Sequence, residues 1–293
     1  MQKLSILEEF IMKIIDMRVR APFAAYANCN LYSPALISDD GRGGARNWVL
    51  PPSVKAFSMD LLIEEANTAN VEKLVVPVRK NLGGRNEDLV ELIQKYPSHV
   101  VGLAGIDVNS LSMQTAVQEI EQFVVNGPCQ GIILEPGQDK TPWMVNDVRV
   151  FPVYEYCQQH NSPIFMTYGG IMVPSIRYYA PEPLDDVLGA FPKLKIGLAH
   201  GGWPYVTEVC QMAINRNNLY LAPDFYMIES PGQTDYVMAA NCLLQNRLMF
   251  ASAYPLMPLK ESSEYYMNSG IKEEILPNVM YHNAAEFLDL MQQ

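Results

Sequence analysis

Eight short, apolar, β-branched runs recur along the chain, and most are followed by a segment whose apolar residues return at helical spacing. The runs are Lys13–Arg20, Lys73–Arg79, Val100–Val108, Gln130–Pro136, Pro163–Gly169, Lys195–Gly201, Leu219–Phe225 and Leu248–Pro255. The segments Ser58–Asn70, Asn86–Tyr96, Met113–Gly127, Phe151–His160 and Trp203–Arg216 carry the 3.6-residue period of amphipathic helices. Ser58 and Asn86 stand where N-caps are expected, and Gly127 where a helix stops. Near-continuous apolar strands alternating with such helices predict a parallel sheet covered on both faces. Eight such units in one chain predict an α/β fold of the (β/α)₈ TIM-barrel type, a single domain over residues 1–293. An open, doubly wound sheet is the weaker reading, because no GxGxxG follows the first strand.

The stretch from Ala21 to Phe57 is long for a strand-to-helix connection and rich in Gly, Pro, Asn and aromatic residues. It reads as a lid over the barrel mouth.

Composition narrows the function. Of 293 residues, 49% are hydrophobic and 18% charged, enough for a large core. A net charge of −11 repels phosphate polymers and anionic membrane surfaces, so neither nucleic acid nor membrane is the expected partner. No apolar run reaches the roughly 18 residues of a membrane span. The five cysteines are scattered, odd in number and free of CxxC spacing, which points to reduced core thiols and a cytoplasmic location. A homo-oligomer is compatible with all of this.

In a barrel of this kind the chemistry sits at the C-terminal ends of the strands. Period-two alternation on the first strand sends Ile15, Met17 and Val19 toward the helices and Asp16, Arg18 and Arg20 into the lumen. Arg79, Glu135, Tyr168, His200 and Asp224 close later strands. Two inward guanidinium groups need partners, because an unpaired buried charge is costly. Either Asp16, Glu135 and Asp224 supply them, or a bound carboxylate or phosphate does, for which the planar arginine fork is suited. Arg18, Arg20 and Arg79 are therefore the expected substrate-binding residues. Tyr168 is either a further donor to an oxyanion or a packed barrel aromatic. His200, with Glu135 or Asp224, is the expected proton-transfer set. Neither a GxSxG elbow nor a phosphate-binding P-loop occurs.

Four segments carry a resemblance. "FPKLKIGLAHGGWPYV" (Phe191–Val206), "PVYEYCQQHNSPIFMTYGG" (Pro152–Gly170), "NRLMFASAYP" (Asn246–Pro255) and "NVMYHNAAEFL" (Asn278–Leu288) resemble, in order, segments of the second amidohydrolase family. That family consists of metal-dependent hydrolases and decarboxylases on a (β/α)₈ barrel. The resemblance implies that the two first-strand metal histidines fall on Arg18 and Arg20. The fifth-strand histidine falls on Thr167, and the eighth-strand aspartate on Ala253. Only His200 is retained. Guanidinium groups have no lone pair to give a metal, so no metal and no other cofactor is expected. The implied activity is that of a hydrolase acting on a small anionic molecule without the family's metal centre. A metal-independent decarboxylase or lyase, a non-catalytic anion-binding protein, and a metal site rebuilt from Asp16, Glu135, His200 and Asp224 are the alternatives.

Overall fold

A computed structural model describes residues 12–33, 49–109 and 112–292. Among these residues seven parallel strands follow one another in chain order: β1 (Ile14–Asp16), β2 (Val71–Pro77), β3 (Val100–Gly105), β4 (Gly131–Leu134), β5 (Ile164–Thr167), β6 (Ile196–Ala199) and β7 (Leu219–Ala222). Each lies inside a predicted run except β2, which starts two residues earlier. Helices such as Met59–Thr68, Asn86–Lys95, Phe151–Gln159, Pro181–Ala190 and Val206–Asn215 separate the strands.

The eighth run does not form a regular ladder, yet it joins the two edges. Met249 N–H donates to Leu221 O at 2.8 Å, Met17 N–H to Phe250 O at 3.1 Å, and Arg20 N–H to Tyr254 O at 3.0 Å. Single parallel bridges pair Leu248 with Leu221 and Tyr254 with Val19. The ring is thereby closed as a barrel. The pairing is sparse because the chain turns at Ala253, where φ is +61°.

Side chains divide into two cores. The larger packs the outer faces of the strands against the helices. The smaller fills the barrel with Ile15 and Met17, Val75, Val101 and Leu103, Ile133, Phe165, Ala199, Tyr220 and Ala222, and Met249 and Ala251. Ala284, Ala285 and Phe287 of the helix Asn283–Phe287 complete it. Asn283 Nδ2 donates to Leu248 O at 2.7 Å, which fixes this helix under the N-terminal ends of the strands. The bottom is plugged, and the opposite end is left for a site.

Two local expectations are corrected. Ile15 and Met17 point into the barrel, not toward the helices. The register shifts between Ile14 and Ile15, and the strand ends at Asp16 with a bend at Met17, so period-two alternation is not carried to Arg18. Ser58 does cap its helix, accepting from Leu61 N–H at 3.4 Å. Asn86 instead begins the next helix, behind Arg85, and its amide spans Gly105, donating to the carbonyl at 3.0 Å and accepting from the N–H at 2.8 Å.

Of the proposed lid, residues 34–48 lie outside the described residues. The part that follows Arg20 forms two short 3-10 turns, Ala24–Tyr26 and Asn30–Tyr32. Tyr26 Oη donates to Pro77 O at 2.7 Å and Tyr32 Oη to Arg20 O at 2.6 Å, which pins the segment across the ends of β1 and β2.

Candidate active site

A cavity of about 410 Å³ opens at the C-terminal ends of the strands. Its floor holds Arg18, Arg20, Arg79 and His200. Leu31, Leu82, Ile171, Met172, Phe225, Tyr226 and Leu256 make its rim largely apolar. Volume and lining are those of a small-molecule site: apolar walls with a few fixed polar groups.

Arg18, two residues beyond β1, is 3% exposed. Its Nη1 donates to Asp224 Oδ2 at 2.9 Å, and lies 2.8 Å from His200 Nε2 and 3.2 Å from Nδ1. His200, directly after β6, has Nδ1 within 2.9 Å of Asp224 Oδ2, and its backbone N–H donates to the same oxygen at 3.2 Å. A carboxylate beside Nδ1 and a guanidinium beside Nε2 assign the imidazole proton to Nδ1. Burial, and then the charge of Arg18, bring the His200 pKa down from 6.5 to about 4, so the ring is neutral at pH 7. Burial pushes Asp224 upward, but His200 and Arg18 outweigh it and hold the carboxyl below its usual range.

A second ion pair stands across the mouth. Arg79 Nε donates to Glu135 Oε1 at 2.6 Å and its Nη2 to Gln138 Oε1 at 2.7 Å. Thr167 Oγ1 also donates to Glu135 Oε1, at 3.2 Å.

Arg20 differs from both. It is 2% exposed, and its Nη2 donates to the carbonyl of Ala253. Among the described residues it has no ion pair, and its Nε has no hydrogen-bond partner. Burial, with Arg18 and Arg79 nearby, lowers its pKa to about 9, which leaves it charged at neutral pH. Asp16, fully buried, accepts from the N–H groups of Arg18 at 3.0 Å and Ser252 at 2.9 Å. Its Oδ2 has no partner among the described residues. Burial raises its pKa despite those bonds, and it forms no ion pair with Arg20 among the described residues.

Backbone strain collects at the same place. His200 (φ +66°), Asp224 (+48°) and Ala253 (+61°) follow three neighbouring strand segments, and all adopt the left-handed conformation that side chains disfavour. Each such residue costs on the order of 1–3 kcal/mol and persists where surrounding contacts over-determine it.

The expected residues thus fall into three groups. Arg18, Arg20, Arg79 and His200 line the cavity. Glu135 and Asp224 stand behind it, bound to the arginines. Tyr168 does not line it: its phenol donates to Ala180 O at 2.7 Å and its ring packs at 5.4 Å from that of Tyr179. The packed-aromatic alternative is where the structure puts it. Sequence reasoning missed Gln138, which orients Arg79, and Cys29, which lies on the cavity wall.

The barrel, with its cavity at the C-terminal ends of the strands, is of the amidohydrolase class. The amidohydrolase family model matches residues 56–290, and the chain belongs to that family. A solved, uncharacterized TIM-barrel protein from Bordetella bronchiseptica is 32% identical, with TM-score 0.87 over 96% of this chain and 100% of that one. The fold is also shared with 5-carboxyvanillate decarboxylase of Sphingomonas paucimobilis (14% identity, TM-score 0.67, 95% and 99% covered). A dihydroxybenzoic acid decarboxylase of Polaromonas, solved with bound manganese, is similar too (15%, 0.66, 95% and 97%).

The residues present do not fit a metal of the kind that such a family implies. Two guanidinium groups and Ala253 offer no donor, and Arg18 Nη1 stands against the lone pair of His200 Nε2. Among the described residues, no group of three or more His, Cys, Asp or Glu side chains is arranged to hold one, and this includes Asp16, Glu135, His200 and Asp224. Among them, too, no helix is long and apolar enough to cross a membrane.

Proposed function

We propose that this chain is a hydrolase that acts, without a divalent metal, on a small carboxylate- or phosphate-bearing molecule held in the arginine cavity. One observation carries the reading: Arg20 is a buried, cavity-lining cation with no ion-pair partner among the described residues. A buried charge left alone is expensive, and a bound anion relieves that cost. Arg18 and Arg79 extend the cationic floor.

The proton chemistry falls to His200. Asp224 holds the Nδ1 proton, which leaves the Nε2 lone pair as the base. A bound anion draws Arg18 toward itself and away from Nε2. The freed nitrogen then takes a proton from a water whose oxygen bonds to the substrate's electrophilic carbon, and the arginines stabilise the oxyanion that forms; as it collapses, the bond to the leaving group breaks and Nε2 returns the proton to that group. Decarboxylation is the less favoured chemistry. Cations that grip a substrate carboxylate stabilise the ground state more than a transition state in which that charge is leaving.

A second reading, a non-catalytic anion-binding protein, is supported by the 2.8 Å contact of Arg18 with Nε2, which occupies the base.

The test is calorimetry with benzoate and with inorganic phosphate, followed by a pH-stat screen of carboxylate-bearing esters and lactones in chelator-treated buffer. One of the anions binds at one per chain, and Arg20→Met weakens it by about tenfold or more, the worth of one charge-assisted hydrogen bond. Binding with no turnover in the screen favours the non-catalytic reading. Absence of binding overturns both.

A further inference from the structure

Cys29 lies between the two 3-10 turns that follow Arg20 and is one of the residues that line the cavity. It is 7% exposed, a free thiol, and its Sγ accepts from Leu31 N–H at 3.4 Å. The Tyr32 phenol, three residues on, donates to the backbone carbonyl of Arg20, which ties the loop that carries the thiol to the main chain of that residue. Arg20 itself is 2% exposed, lines the same cavity, and has an Nε donor without a partner among the described residues. The cavity therefore joins a nucleophilic atom to a cation in want of an anion. Enclosed positive clefts raise the encounter rate of anions by roughly 10–10³-fold.

We infer that Cys29 is a covalent modification site for small carboxylate-bearing electrophiles held on Arg20. The assignment rests on the anion-binding reading of the cavity given above. In the reaction the sulfur attacks the electrophilic carbon and a C–S bond forms. The bond to the leaving group breaks, the leaving group departs with the electron pair, and the thiol proton passes to solvent.

The other cysteines serve as internal comparison. Cys242 is exposed, at the end of the helix Gln233–Asn241 and away from the cavity. Cys129, Cys157 and Cys210 are buried, and burial pushes their thiols up, Cys129 and Cys210 to about 12.

The experiment alkylates the folded, full-length protein with iodoacetate or iodoacetamide and quantifies each cysteine peptide by mass spectrometry. Iodoacetate presents the carboxylate; iodoacetamide is its neutral counterpart, and iodide leaves in both. The expected result is an iodoacetate-to-iodoacetamide rate ratio at Cys29 about tenfold or more above that at Cys242. Arg20→Met brings the Cys29 ratio down to that of Cys242. Should that variant fail to fold, saturating benzoate on the unmutated protein gives the second measurement, protecting Cys29 and not Cys242. Equal ratios at the two cysteines, or no labelling of Cys29 by either reagent, overturn the assignment. Benzoate calorimetry separates the causes. Equal ratios with benzoate bound remove only the role of Cys29, whereas equal ratios without binding remove the anion reading as well.

Discussion

The neutral state of His200 has a stability consequence that can be worked out from the site. Its pKa falls from 6.5 to about 4 on folding, through burial and the charge of Arg18. Between those values the unfolded chain holds a proton that the folded chain does not. Stability from this residue is fully present above pH 6.5 and is lost as pH falls toward 4. The slope is about 1.4 kcal/mol per pH unit inside the window, and the total roughly 3 kcal/mol. Other groups contribute to the pH dependence as well. Asp16, whose pKa is raised by burial, contributes in the opposite sense. The comparison is therefore between the protein and His200→Asn, which keeps a donor for Asp224 but has no proton to gain. Urea unfolding of both at half-unit steps from pH 7.5 to 4.5 gives two stability curves. They should converge by 2–3 kcal/mol (roughly, from the same linkage) as the pH drops. Curves that stay parallel would refute the buried, neutral imidazole. So would a ring proton signal, absent from the variant, that titrates near 6.5.

Arg18→Met leaves the fully buried Asp224 without its guanidinium partner, and chemical denaturation should show a loss of about 3–5 kcal/mol; a loss under about 1 kcal/mol would mean that the pair is relaxed by solvent. Gly105→Ala puts a methyl against the Val78 carbonyl at the end of β3 and should cost about 1–3 kcal/mol. Gly83→Ala meets open space, but φ is +85°, so only backbone strain of about 1 kcal/mol is expected. Elemental analysis of purified protein should find no stoichiometric zinc or manganese, and chelator should leave the melting temperature unmoved.

The barrel was legible because its strands are buried on both faces, so their apolar runs are continuous whatever the register. The eighth run was recognised for the same reason, although it pairs only at its ends. What the pattern could not carry was orientation beyond a bend. Period two places Ile15 and Met17 on the wrong side, because β1 stops at Asp16 and the chain turns before Arg18. The arginines nevertheless reach the lumen. The pairing Arg79–Glu135, against Arg18–Asp224, depends on which side chains meet across the mouth from strands that are not neighbours in the sheet, a distance no linear pattern states. Of the two readings of Tyr168 the packed aromatic is the one found, its phenol bonded to Ala180 O. Cys29 is buried as expected of a core thiol, but an irregular loop also brings it to the cavity, which spacing alone does not show.

The closing segment of the barrel gives Arg20 a double duty. Its backbone N–H reaches Tyr254 O and its guanidinium reaches Ala253 O, so the residue that fastens the seam is also the one proposed to hold the ligand. If the proposal holds, an anion on this side chain would restrain the most sparsely paired part of the wall. Amide hydrogen exchange along residues 248–254 should slow when the pocket fills, far more than exchange in the fully laddered β2–β3 pair.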